Sequence, residues 1–67
     1  MRTFRRCVGH SVTVQVDGGE SIRGTVDTVT ADALTVRDAS IVMDDRTVRA
    51  DGSIVVPVSR IRWVQVL

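Results

Sequence analysis

Apolar and polar residues alternate along most of the chain with a period of two, which is the pattern of half-buried β-strands. The first such segment is VTVQV, residues 12–16, in which the three valines share one face. Asp17-Gly18-Gly19 comes next, and its glycines favour a hairpin turn because glycine tolerates positive φ. The pattern therefore predicts a first strand, a tight turn and an antiparallel second strand.

The second predicted strand has two unusual features. Its inward face would hold Ile22, Gly24 and Val26, and a glycine inside a strand weakens it unless a sharp bend or a close backbone approach requires it. Val29 then leaves the even-numbered pattern, and a shift of parity without a turn indicates a β-bulge or strong coiling. We therefore expect this strand to be strongly bent.

Further strand segments follow at short spacing. The third strand begins near Leu34, changes parity and continues on odd-numbered positions to Met43. The Asp-Gly pair at 51–52 lies between two short apolar segments and predicts a two-residue hairpin. Pro57 ends a strand because it cannot donate a ladder hydrogen bond, and residues 61–67 form the last strand.

The N-terminal segment has a different period. Phe4, Cys7 and Val8 recur at the spacing of one helical face. The pattern predicts a helix over about residues 3–8, with Gly9 as the residue just past its end. A helix of two turns is not stable alone, so its apolar face must dock on the sheet.

The order of elements predicts an all-β domain with a short N-terminal helix, folded as a strongly bent five-stranded antiparallel small barrel. A chain of 67 residues is one domain, 1–67, and buries only about 60% of its unfolded surface. Its single cysteine and single histidine supply neither an internal disulfide nor a four-ligand zinc site. We therefore expect association between identical chains to stabilise the fold.

No segment resembles a signal peptide, and none approaches the roughly 20 apolar residues of a membrane helix. We expect a cytoplasmic protein without a membrane partner, in the host cytoplasm if the gene belongs to a phage. No motif for zinc, nucleotide or phosphate cradling is present, and Cys7 and His10 lack a third group that would orient a base. The sequence therefore predicts neither an enzyme nor a bound cofactor or metal.

The kind of charge is more unusual than its amount. The formal net charge is +1, yet all nine basic residues are arginine. The planar guanidinium group suits phosphate and base contacts, which is one interpretation. A compositional bias of the source genome is the other.

The alternating segments, taken in order, resemble the Sm-like family, which includes the Sm and Lsm proteins and the bacterial Hfq. The likeness spans nearly the whole chain. It is the likeness of a divergent family member from a phage or a bacterium. The residues that carry it are Gly9, Val12, Val14, Val16, Gly19, Gly24, Val26, Leu34, Val36, Asp38, Val55, Val56 and the segment 61–66.

This resemblance implies assembly into a ring of about five to seven identical subunits, in which the fourth strand of one subunit pairs with the fifth strand of the next. Open sheet edges rich in valine and isoleucine would favour such pairing. The expected interface residues are Val55, Val56, Ile61, Trp63 and Val64.

The family's uridine-binding pattern is missing from the matching positions. Thr30 stands in place of an aspartate, Ala33 in place of the base-reading asparagine, and Asp32 in place of the stacking side chain. Pro57 and Val58 replace an Arg-Gly pair before the last strand. If single-stranded RNA is bound, arginines rather than these groups would hold it.

The candidate nucleic-acid-binding residues are mostly basic. A ring repeats every charge, so each arginine would become part of a positive circle that binds phosphate without reading bases. The alternative is that Arg60 and Arg62 pair with Asp44, Asp45 or Asp51 across the subunit contact, or are solvated. The candidates are Arg60 and Arg62 near the inner rim, Arg2, Arg5 and Arg6 on the helix, and Thr30 and Asp32 in the shortened turn.

Trp63 has the parity of Ile61 in the last strand. It is either a stacking platform for single-stranded bases or an apolar anchor, in the subunit contact or under the helix. Two functions follow from these alternatives. One is a ring that binds single-stranded RNA, and the other is a structural ring, for example a phage-encoded virion or adaptor component.

Overall fold

The computed structural model describes residues 4–67, and its strands form one antiparallel sheet. Arg2 and the start of the predicted helix lie outside the described residues. The elements, in chain order, are a 3₁₀ helix Arg5–Cys7, β1 Ser11–Val16, β2 Ser21–Val29, β3 Ala33–Met43, β4 Arg46–Arg49, β5 Ser53–Pro57, a second 3₁₀ helix Val58–Arg60, and β6 Ile61–Val66.

The described part of the predicted N-terminal helix is a single 3₁₀ turn, Arg5–Cys7. Phe4 and Cys7 pack against the core as expected of the apolar face. The segment is tied to β2 because Gly9 N–H donates to Val26 O at 2.8 Å and Val26 N–H donates to His10 O at 3.1 Å. A short turn anchored in this way replaces the longer helix that the spacing predicts.

The sheet order is β4-β3-β2-β1-β6, and β5 also pairs with β3. β4 lies opposite the second half of β3, from Ser40 to Met43, and β5 lies opposite the first half, from Ala33 to Arg37. β4 and β5 are therefore two halves of one interrupted strand on the same edge. In this sense the predicted fold of five strands is confirmed.

The hairpin predicted at Asp51-Gly52 is wrong. Between the pairs Ser40↔Arg49 and Arg37↔Ser53, two residues of β3 face three residues of the partner strand, which is a β-bulge. Gly52 has a φ of 83°. The glycine therefore provides the positive φ of a bulge residue and not that of a hairpin turn. An Asp-Gly pair signals that backbone conformation without distinguishing the two.

Gly24 marks the place where β2 passes close to β3. A Cβ atom added there would lie 2.6 Å from Val36 Cγ1 and 2.7 Å from Arg37 O. The β2–β3 register shifts on either side, between Arg23 and Thr25 and again between Val26 and Thr28. The close approach and the change of parity predicted for this strand are both confirmed.

The inward faces of the strands form one apolar core. Its ten members are Val12, Val14, Val16, Ile22, Val26, Leu34, Val36, Ala39, Val56 and Ile61. The alternation in β1 and the two parities of β3 account for most of them. Among the described residues, no helix is long and apolar enough to cross a membrane.

Trp63 does not share the face of Ile61, so this prediction is wrong. The β1–β6 register shifts between Gln15 and Val16, so that Ile61 lies opposite Val16 while Trp63 lies opposite Gln15. Gln15 points away from the core, and Trp63 therefore lies on the outer face with 49% of its surface exposed. One extra residue in β6 reverses the parity that simple alternation gives.

Candidate nucleic-acid interface

The β2–β3 turn and the second 3₁₀ helix lie side by side, although 24 or more residues separate them in sequence. Val58 N–H donates to Asp32 O at 2.8 Å, and Thr30 N–H closes the turn on Ala33 O at 2.8 Å. We call residues 30–33 and 57–60 together the turn face. The structure thus brings the backbone of the second 3₁₀ helix, which ends at Arg60, next to the turn that holds Thr30 and Asp32.

Thr30 uses its hydroxyl within the turn. Thr30 Oγ1 accepts hydrogen bonds from the N–H groups of Ala33 at 3.0 Å and Asp32 at 3.3 Å, and donates to Ala33 O at 3.3 Å. The shortened turn is therefore fixed by its own threonine. Asp32 is exposed, and its carboxylate makes no ion pair with another residue in the described range 4–67.

Arg60 is held against the β1–β2 turn. Arg60 Nε donates to Asp17 Oδ1 at 2.9 Å and Nη2 to Asp17 O at 3.5 Å, while Asp17 N–H donates to Arg60 O at 3.0 Å. The two side chains are 58% and 59% exposed, so the pair adds little stability. Its effect is to orient the guanidinium group and to offset its charge.

The sequence did not identify Asp17 as the partner of Arg60. The residues are 43 positions apart, and only the pairing of β1 with β6 brings them together. Asp17 belongs to a turn motif, which predicts its backbone but not its contacts. No local signal in the sequence would have found this pair.

Of the other basic candidates, Arg62 lies two residues from Arg60, whereas Arg5 and Arg6 lie elsewhere. Arg62 is exposed in β6, and its guanidinium group makes no ion pair within residues 4–67. Arg5 and Arg6 are exposed on the first 3₁₀ helix, which docks on the second half of β2. The structure therefore divides the basic candidates between two regions, and Arg2 lies outside the described part.

Both edges of the sheet present backbone groups to solvent. Val58 N–H donates to Asp32 O, just before β3. The alternation of an antiparallel ladder then directs the N–H groups of Val56 and Ile54 toward β3 and that of Val55 outward. On the opposite edge, Leu67 N–H bonds Ser11 O at 2.9 Å, which directs the N–H group of Val64 outward. Within the single chain, β5 and β6 are thus free edges.

The predicted interface residues divide into two groups. Val56 and Ile61 are 2% and 7% exposed and belong to the core of the chain itself, so only their backbone can meet another subunit. Val55 and Trp63 are 63% and 49% exposed, and Val64 is partly buried. Each free edge therefore carries a large exposed apolar side chain on its outer face.

An apolar groove accompanies the β5 edge. Its volume is about 150 Å³. Such a groove beside unpaired backbone groups suits the approach of another strand with apolar side chains. The groove is lined by Val16, Ile22, Ile54, Val55, Val56, Pro57 and Arg60.

Among solved structures, archaeal Sm proteins are similar to this chain over most of its length. A heptameric archaeal Sm protein matches with a TM-score of 0.81 and 21% identity, over 92% of this chain and 91% of that chain. The Sm protein of Pyrococcus abyssii in complex with a uridine heptamer matches with a TM-score of 0.83 and 21% identity, over 92% and 89%.

A chain of the NatC complex bound to CoA matches with a TM-score of 0.84 and 15% identity, over 100% of this chain and 87% of that chain. No family model matches the sequence, and no relative was found among curated proteins. At this identity the likeness shows the fold, which is Sm-like, as the residue pattern predicts.

Proposed function

We propose that this Sm-like domain, residues 1–67, forms a closed homo-oligomeric ring of about five to seven subunits and binds single-stranded RNA. The observation that carries the proposal is the pair of free, apolar edges, β5 and β6. The archaeal proteins of the same fold include a heptamer and a complex with a uridine heptamer. The ring acts as a binding protein and not as an enzyme.

Pairing of β5 with β6 of the next subunit would satisfy the outward backbone groups on both edges. It would also bring two exposed apolar side chains together, because Val55 and Trp63 both lie on the outer face of the sheet. Unlike edges meet head to tail, so the contact repeats until the ring closes. We call this contact the ring seam.

Within such a ring, the turn face of every subunit would form part of one circle. Arg60 and Arg62 would supply phosphate contacts there, while Thr30 and Asp32 border the path without reading bases. Asp32 repels phosphate, and the Thr30 hydroxyl is already used by the turn. We therefore expect binding that depends strongly on salt and weakly on sequence.

The experiment is a titration of oligo(U) and oligo(A) with the wild-type protein and with the double variant Arg60→Ala, Arg62→Ala, at several salt concentrations. Loss of about two phosphate contacts should flatten the slope of log affinity against log salt by about two. Arg46→Ala is the matched control, since Arg46 is exposed on β4, away from the turn face. Absence of binding to either strand at low salt would contradict the RNA part of the proposal.

A structural ring that binds no RNA is the second candidate, and one observation favours it. Asp17 already offsets the charge of Arg60 through a 2.9 Å contact, so the turn face is less cationic than its sequence indicates. A ring that assembles fully yet binds neither oligonucleotide would support this candidate, for example as a phage virion or adaptor component.

A further inference from the structure

The register of the sheet places five outer-face side chains in one row across the strands. Thr13 pairs with Gln65 on one side and Arg23 on the other, Arg23 pairs with Ser40, and Ser40 pairs with Arg49. Trp63 lies next to this row on β6. We call the row together with Trp63 the outer strip, whose members are Trp63, Gln65, Thr13, Arg23, Ser40 and Arg49.

Arg23 and Arg49 are the two cations of the outer strip. Both are exposed, and neither guanidinium group makes an ion pair within the described range. They lie two strands apart, which is about 10 Å at the usual strand spacing. Two exposed guanidinium groups on one face can each form charge-assisted hydrogen bonds to phosphates of the same strand.

A polar cleft adjoins Arg23. Its volume is about 370 Å³. Serine and threonine side chains line part of it, and their hydroxyl groups can donate hydrogen bonds to phosphate oxygens. The cleft is lined by Ser11, Arg23, Gly24, Thr25, Asp38, Ser40, Val42, Thr47 and Leu67.

Asp38 is the carboxylate on the rim of this cleft. Its Oδ2 lies 3.6 Å from Arg37 Nη1, and Arg37 Nε also lies 3.8 Å from Asp27 Oδ1. Asp38 is therefore partly offset by Arg37. Arg23 and Arg49 lie near Asp38, but within residues 4–67 neither makes an ion pair with it.

Trp63 supplies an aromatic surface on the same face. Its cross-strand neighbour Gln15 is held in place, because Gln15 Nε2 donates to Val16 O and Glu20 O at 3.2 Å each and Oε1 accepts from Ser21 Oγ at 2.7 Å. The indole therefore stands beside a fixed polar side chain. Exposed aromatics beside arginines on a sheet are a recurrent means of binding unpaired bases.

We propose that the outer strip is a second contact site for single-stranded RNA, with a base stacked on Trp63 and backbone phosphates on Arg23 and Arg49. This inference rests on the proposed RNA binding. It supplies what the turn face lacks, because Asp32 occupies the position where a base would stack and the turn face offers no exposed aromatic side chain among its described residues. In the ring, Val55 of the next subunit would lie beside Trp63 and cover part of the indole, leaving the outward side to a base.

The test uses the fact that Trp63 is the only tryptophan, so that in an intact ring a change of intrinsic emission reports on the surroundings of this one side chain. Wild-type ring is titrated with oligo(U), oligo(A) and inorganic polyphosphate, which carries phosphates without bases. We expect both oligonucleotides to quench the emission in a saturable manner. Polyphosphate should compete for binding without quenching.

Variants separate the outer strip from the turn face. Arg23→Ala with Arg49→Ala should lower the affinity for oligo(U) about tenfold and reduce the salt slope by about two. Arg46→Ala removes the same charge from the same strand as Arg49 but on the opposite face, and should bind like wild type. Native mass measurement of each variant shows that the ring is intact.

Three outcomes decide the inference. Quenching together with loss of affinity in the Arg23, Arg49 variant supports it. RNA binding with unchanged emission, and with this variant equal to Arg46→Ala, overturns it while leaving the turn face as the site. No RNA binding at any salt concentration overturns both this inference and the proposed RNA function.

Discussion

At the scale of single residues, close packing and pairing assign roles that residue type leaves open. Gly24 is required because a Cβ would lie 2.6 Å from the Val36 side chain and 2.7 Å from the Arg37 carbonyl oxygen. Arg60 is an oriented side chain, because Asp17 accepts its hydrogen bond. Each of these roles leads to a measurable consequence.

Gly24→Ala should destabilise the fold by about 1–3 kcal/mol, because the new methyl group overpacks a site bounded by backbone. Urea unfolding followed by circular dichroism measures the change. Thr28→Ala is the control, since Thr28 is exposed on the same strand and should change stability by only about 0.5 kcal/mol. Equal stability of wild type and Gly24→Ala would show that β2 and β3 are not in close contact.

Asp17→Asn should raise RNA affinity and steepen its salt dependence, because it removes a negative charge and releases Arg60 for phosphate. Its effect on stability should be below about 1 kcal/mol, as for other exposed pairs. Asp45→Asn changes the charge by the same amount in the exposed β3–β4 turn and serves as control. Unchanged affinity in Asp17→Asn would exclude Arg60 as a phosphate contact.

At the scale of elements, the sequence predicted those features that depend on local periodicity. The valines of β1, the bend at Gly24 and the change of parity within β3 all follow from the order of apolar residues. The hairpin predicted at Asp51-Gly52 was wrong because a glycine with positive φ occurs in β-bulges as well as in hairpin turns. The face predicted for Trp63 was wrong because the extra residue in β6 is visible only in the register of β6 with β1.

The turn face could be predicted in part. Thr30 and Asp32 became candidates through the resemblance to the family's uridine-binding turn, and Arg60 through its charge near the expected inner rim. The outer strip was missed because its members come from five segments of the chain and share only a cross-strand register. Such a register is a long-range property that alternation within one strand does not contain.

The β5 edge leads to a prediction about assembly. Val55→Lys places a charge on an exposed side chain at the centre of the ring seam, and charges on edge strands oppose pairing. We expect a folded monomer, with the far-ultraviolet circular dichroism of the wild type, in sedimentation velocity. Val8→Lys, at a position that is 47% exposed and not on a sheet edge, should still form the ring. A ring formed equally well by Val55→Lys would show that β5 is not in the seam.

At the scale of the whole molecule, the small core and the free edges both favour association between subunits. Ten buried apolar side chains stabilise a domain of this size only marginally. Partial burial of Val55 at one edge and of Trp63 at the other would add to that stability, and a closed ring contains one such seam per subunit. The proposed ring would therefore be part of how the fold is stabilised.

This coupling predicts that thermal stability depends on protein concentration. The Tm should rise as the concentration is increased, because association stabilises the folded state by mass action. Differential scanning fluorimetry over a hundredfold range of concentration measures the effect. In Val55→Lys the Tm should be lower and independent of concentration.

The most direct test of the ring is a native mass spectrum of the wild-type protein at micromolar concentration. We predict one dominant closed species of about five to seven subunits, with retained RNA visible as additional mass at low salt. A monomer of 7.3 kDa as the dominant species under these conditions would contradict the ring and the seam from which it was inferred.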